Sequence, residues 1–140
     1  MISTPDTHLR LAHVAVGRVQ QYQRTANGIA AFALGSVLLL WFSTFALAAS
    51  PAFLSLLAAL VSSLGAAGVN LARQWARYYH AESEGWLDHV LPAEERTAVH
   101  QPFLARHPAP TALSSIWSAM LVVAALLSAF AAVLFAVATA

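Results

Sequence analysis

The sequence contains no cysteine and no lysine, and only 9% of its 140 residues are charged. Without thiols there is no disulfide framework, no thiolate metal site and no cysteine nucleophile. Seven arginines with no lysine make a basic footprint too small for nucleic acid binding. A soluble domain needs more charge than this to solvate its surface, and here 59% of the residues are hydrophobic. Lipid rather than water is the main solvent to expect. Enzyme motifs are missing as well, with no phosphate-binding loop, nucleophile elbow or H-E-x-x-H, so a non-enzymatic role is expected.

What charge there is lies in two places, before Gly28 and between Arg73 and His107. From Gly28 to Ala72 the chain reads as two uncharged apolar runs split by Ser50-Pro51. At ~1.5 Å per residue each run reaches roughly 32 Å as a helix, about the thickness of a bilayer's hydrocarbon core. A third uncharged run, Ala112 to Ala138, is nominally ~40 Å long and spans with some tilt. The expected fold is therefore all-α and integral to the membrane, with three transmembrane helices. Its parts are a cytoplasmic amphipathic helix over 1–27, a transmembrane hairpin over 28–72, a cytoplasmic helical extension with a proline-rich return over 73–111, and a third span over 112–140.

Arginine placement sets the expected orientation, because loops rich in Lys and Arg stay cytoplasmic. Arg10, Arg18 and Arg24 precede the first run, and Arg73, Arg77, Arg96 and Arg106 lie between the second and third. The N-terminus and the middle segment are expected inside, and the Ser50 turn and C-terminus outside the inner (plasma) membrane. The small-residue triplet Ala46-Leu47-Ala48 resembles a signal-peptidase site, but the region before the apolar run is long for a signal peptide.

Along the chain, Ser3-Thr4-Pro5-Asp6 is suited to starting a helix. Leu9, Ala12, Val16, Val19, Gln23 and Ala26 then recur at spacings of three and four and predict a narrow packing seam. Pro51 suits a turn or the first turn of the next helix, where its missing N–H is no loss. No proline interrupts Ala52 to Leu91, so the second span is expected to run on as one long helix. Pro92-Ala93-Glu94-Glu95 suggests a short further helix, and Pro102, Pro108 and Pro110 suggest an extended return.

Helices in lipid associate through close backbone approach and polar contacts, which rows of small residues permit. Such rows occur at i+4 spacing: Ala58, Ser62, Ala66 and Asn70; Ser55, Ala59, Ser63 and Ala67; and Ala124, Ser128, Ala132 and Ala136. The candidate oligomer interface or pore lining is Ser55, Ala58, Ser62, Ser63, Ala66, Asn70, Ser118, Ala124, Ser128 and Ala132. Trp75, Tyr78, Tyr79 and Trp86 are too many aromatics for a solvated helix and predict a protein-facing surface, toward either the N-terminal helix or a neighbouring subunit. All six histidines lie outside the spans, which argues against a bis-histidine haem at membrane depth. His80, Glu84 and His89 are the one metal-like constellation; they complete no recognised spacing, and a solvated protonatable pair explains them as well. No cofactor is expected.

Trp75, the pair Tyr78 and Tyr79, Glu84 and Leu91-Pro92, following a two-span hairpin, resemble small bacterial hairpin membrane families, the SLATT domains and the RipA-type octameric membrane proteins. The resemblance covers about the first two-thirds of the chain and leaves the third span outside it. It implies oligomeric assembly and, for the SLATT group, pore formation in bacterial defence. The residues and the resemblance together lead to a homo-oligomeric inner-membrane protein, a structural assembly or a pore. An accessory or immunity-type subunit docking another membrane protein is the alternative, and a phage-type holin the third.

Overall fold

The computed structural model describes residues 5–46, 50–89 and 112–138. These form three helices, α1 (Pro5–Ala46), α2 (Pro51–Asp88) and α3 (Ala112–Ala138). No strand occurs among the described residues, and all three helices are long and apolar enough to cross a membrane. Predictions for the Ala46-Leu47-Ala48 triplet beyond Ala46, for Pro92-Glu95 and for the proline-rich return lie outside the described residues.

The predicted amphipathic helix and first span are one helix, since α1 passes through Asn27-Gly28 without a break. As α-helices, α1 and α2 extend about 63 and 57 Å, roughly twice the hydrocarbon thickness of a bilayer. Pro51 is the first residue of α2, and the Leu54 N–H donates to the Ser50 carbonyl at 3.2 Å to close the first turn. Proline costs nothing there because the first four N–H groups of a helix have no intrahelical acceptor.

The chain divides into two compact units. One comprises α1 up to Arg24 with α2 from Ala72 onward, and its core is Ala12, Ala15 and Val19 against Ala72, Ala76, Ser83 and Leu87. The other comprises α1 from Thr25, α2 up to Leu71, and α3. Its core is Ala26, Ala30, Ala33 and Val37 on α1, Leu54, Ser55, Ala58, Ser62, Gly65 and Val69 on α2, and Leu121 and Ser128 on α3. Alanine, serine and glycine dominate both cores, so the helix backbones approach closely and van der Waals contact takes the place of bulky hydrophobic fill.

Between Ser55 and Ala76 the buried positions of α2 run 55, 58, 62, 65, 69, 72 and 76, alternating steps of three and four. That is the average of 3.5 that keeps a seam facing a partner helix. A strict i+4 row instead turns by about 40° at each step and leaves the seam. The three predicted rows show this drift: Ala58 and Ser62 are buried, Ala66 half-buried and Asn70 exposed; Ser55 is buried, Ala59 half-buried, Ser63 and Ala67 exposed; Ser128 is buried, Ala124 and Ala132 half-buried, Ala136 exposed. The N-terminal seam is corrected in the same way. Leu9 is exposed and Val16 and Gln23 are half-buried, while Ala15, absent from the predicted seam, is buried.

None of the described glycines has a positive φ, so their use is space rather than unusual backbone geometry. A Cβ built on Gly65 would lie 2.6 Å from the Ala33 Cβ and 3.4 Å from Leu121 Cδ1, so all three helices meet at this residue. Gly68 faces Ile29, whose Cγ2 would be 3.3 Å away, and Gly17, Gly28 and Gly35 have nothing within 4 Å. Outside this core, Phe32, Leu38, Leu39, Phe42, Phe53, Leu64, Leu126, Phe130 and Val137 are exposed. Large apolar side chains pointing outward from such helices match a hydrocarbon solvent.

Candidate functional site

The serines of the spans are the first candidates, and their hydroxyls are largely committed. Ser62 and Ser63 each donate to the carbonyl four residues earlier, to Ala58 and Ala59, at 2.8 Å. Ser43 and Thr44 on α1 likewise return to Leu39 and Trp41. A hydroxyl bonded to its own helix carries no unmet donor into lipid. Ser128 accepts a 3.0 Å hydrogen bond from the Trp41 indole N–H, which ties α1 to α3. Ser55, Ala58, Ser62 and Ser128 are buried within the chain. Ser63 and Asn70 face outward, and Ser118 is half-buried.

Among the described residues, most of the polar side-chain contacts lie in the unit formed by the two helix ends. Trp75, Tyr78 and Tyr79 sit at i, i+3 and i+4 on α2 and meet on one side of it. Tyr22 of α1 stacks on Trp75 (6.2 Å, 17°) and on Tyr79 (5.6 Å, 12°). The Arg18 guanidinium stands 5.0 Å from the centre of the Tyr79 ring and donates from Nη1 to the Tyr79 hydroxyl at 3.1 Å. On sequence alone Arg18 is expected only as an orienting charge and Tyr22 not at all, although Tyr22 continues the Ala15, Val19 spacing by three. An aromatic in a seam of alanines signals where a seam opens around a ring.

Further along, His8 stacks on Trp86 at 5.5 Å and 23°, and His89 approaches both rings, 6.1 Å from His8 and 6.5 Å from Trp86. The Trp86 N–H points to Glu82 Oε1 at 3.5 Å. Of the two predicted partners for the aromatic surface, the chain's own α1 takes much of it. Tyr79 and Trp86 are half-buried in these stacks, whereas Trp75 and Tyr78 remain 44% and 60% exposed.

The metal candidates do not converge. His80 Nδ1 lies 3.5 Å from Glu84 Oε1, as their i,i+4 spacing allows, while His89 Nδ1 is 2.7 Å from the Gly85 carbonyl. Among the described residues no group of three or more His, Cys, Asp or Glu is placed to hold a metal ion. His80 Nε2, Arg73 Nε and Trp117 Nε1 are buried polar atoms with no hydrogen-bond partner.

Comparison with protein-family models, with curated proteins and with solved structures found no match.

Proposed function

We propose that this chain is a homo-oligomeric protein of the inner membrane that acts without enzymatic chemistry, as a structural assembly or as a pore gated by a dry apolar constriction. The observation that carries the proposal is the outward stripe Ser63, Ala67 and Asn70 on α2, all exposed and all within the uncharged run. A carboxamide facing hydrocarbon gains by pairing across helices, and small neighbours let a second backbone come close enough to pair. The inward seam of α2 is already filled by α1 and α3, so this stripe is a small-residue surface still open on α2.

Mass photometry of the protein in lipid nanodiscs or detergent tests the proposal, with assemblies of repeating copies as the expected result. Asn70→Leu is expected to weaken self-association by roughly 3- to 17-fold, the range of interhelical polar contacts in membranes. A wild-type chain that stays monomeric at all concentrations, or an N70L variant that assembles unchanged, sinks it.

The proposed orientation puts residues 1–27 and 73–111 on the cytoplasmic side and the Ser50 turn and C-terminus outside, supported by seven arginines all on one side of the spans. In intact cells an impermeant thiol reagent should label Ser50→Cys strongly and Arg77→Cys only after the membrane is opened. The reverse pattern overturns the orientation. A second reading, an accessory subunit that docks another membrane protein, is favoured by the exposed Trp75 and Tyr78 rings. A monomer recovered only with a foreign chain would support it.

A further inference from the structure

Arg73 directly follows Leu71 and Ala72, the last residues of the uncharged run on α2, and Arg77 comes one turn later. The contacts Tyr22 with Trp75 and Arg18 with Tyr79 define an antiparallel register in which four residues forward on α1 match four back on α2. Continued by half a turn, that register brings Arg24 level with Arg73. The backbone positions of Arg18, Arg24, Arg73 and Arg77 therefore fall within about 9 Å along the helix axis, close to the depth of one head-group layer. Neither stretch, 18–24 nor 73–79, contains a carboxylate. The next acids on α2 are Glu82, Glu84 and Asp88, and Glu84 is paired with His80.

Two further features specify what this positive belt takes. Arg24 and Arg77 are exposed and Arg73 is half-buried, so the belt offers guanidinium groups to an outside acceptor. Trp75 and Tyr78 keep exposed faces at the same level along α2 as Arg73 and Arg77, amphipathic rings of the kind that settle where acyl chains give way to head groups. A phosphate oxygen accepts from guanidinium N–H groups such as those of the exposed Arg24 and Arg77, and an acyl-linked glycerol supplies apolar surface for the rings. A free phosphate would supply only the first.

We propose that this belt binds the head groups of anionic phospholipids, with Arg24, Arg73 and Arg77 on the phosphates and Trp75 and Tyr78 at the ester level. The proposal rests on α1 and α2 crossing a bilayer and is independent of self-association. Native mass spectrometry of the delipidated full chain in detergent, titrated with phosphatidylglycerol or phosphatidylcholine of the same acyl chains, tests it. Phosphatidylglycerol is expected to bind about tenfold more tightly, in line with the attraction of arginines to anionic head groups. R24Q/R77Q, which alters only exposed side chains, and R73Q should each remove most of that preference, whereas R10Q, which removes the same single charge as R73Q but outside the belt, should keep it.

Equal binding of the two lipids, or full preference retained in R24Q/R77Q, overturns the proposal. Complete displacement of phosphatidylglycerol by millimolar inorganic phosphate also overturns it, by showing a site for soluble anions. The same spectra report subunit number, so a monomer that keeps its lipid preference would defeat self-association alone.

Discussion

Gly65→Ala is expected to destabilise the helix packing by about 1–3 kcal/mol, the usual cost of overfilling a close-packed core. The added methyl would stand 2.6 Å from the Ala33 Cβ, an atom fixed to its own backbone, so α1 and α2 have to move apart. Elsewhere the same substitution has a different outcome. At Gly28 and Gly35 a methyl meets nothing within 4 Å, and alanine gains up to about 1 kcal/mol in helix propensity. Gly68→Ala falls between, because Ile29 can shift its side-chain end by a few tenths of an ångström. Reversible unfolding in mixed micelles should therefore rank the variants G65A, G68A, then G28A and G35A, from least to most stable. Ala33→Gly in the G65A background should restore most of the loss. If G65A unfolded like G35A, the close crossing of α1 and α2 at this point would be wrong.

Leu121→Ala should have an effect of similar size, by loosening α3. Leu121 is the largest fully buried side chain of the described chain, and its Cδ1 lies against Gly65. Leu→Ala in a packed core costs roughly 2–5 kcal/mol, and the lower end is expected here because displaced Leu atoms find lipid rather than water. Ser128→Ala removes the acceptor of the Trp41 hydrogen bond and should cost a further ~0.6 kcal/mol, typical of polar contacts between membrane helices. Trapping with a short bifunctional thiol reagent between cysteines at the α1–α3 contact, Trp41→Cys with Ser128→Cys, reads how firmly Leu121 holds α3. The trapping yield should fall several-fold when L121A is added. An unchanged yield would mean that α3 is held by something other than this knob. Opposite substitutions probe the two ends of one contact, with too much volume at Gly65 and too little at Leu121.

The local character of this chain was readable without coordinates, for a direct reason. In lipid a backbone must satisfy its own hydrogen bonds, so a long uncharged run has little choice but a helix. Gly28 to Ala72 and Ala112 to Ala138 therefore declared their helices, while Pro51 offered either a turn or the start of α2, and the structure takes the second. The uninterrupted extension of α2 past Arg73 followed from the absence of proline. The continuity of α1 through Asn27-Gly28 did not, because a glycine and an asparagine at the edge of an apolar run are also the residues of a break.

Pairing was decided only by the tertiary structure. With so many alanines and serines, several faces of α2 look equally able to pack. Which face wins depends on the alternating three-and-four register that α1 and α2 share, and a register belongs to two helices at once. That selection buried Ser62 and left Ser63 outside, one residue apart, and brought Tyr22 and His8 from α1 onto the aromatics of α2. A periodicity of 3.6 reports that a residue is on a helix, but only the partner's surface determines whether it is covered.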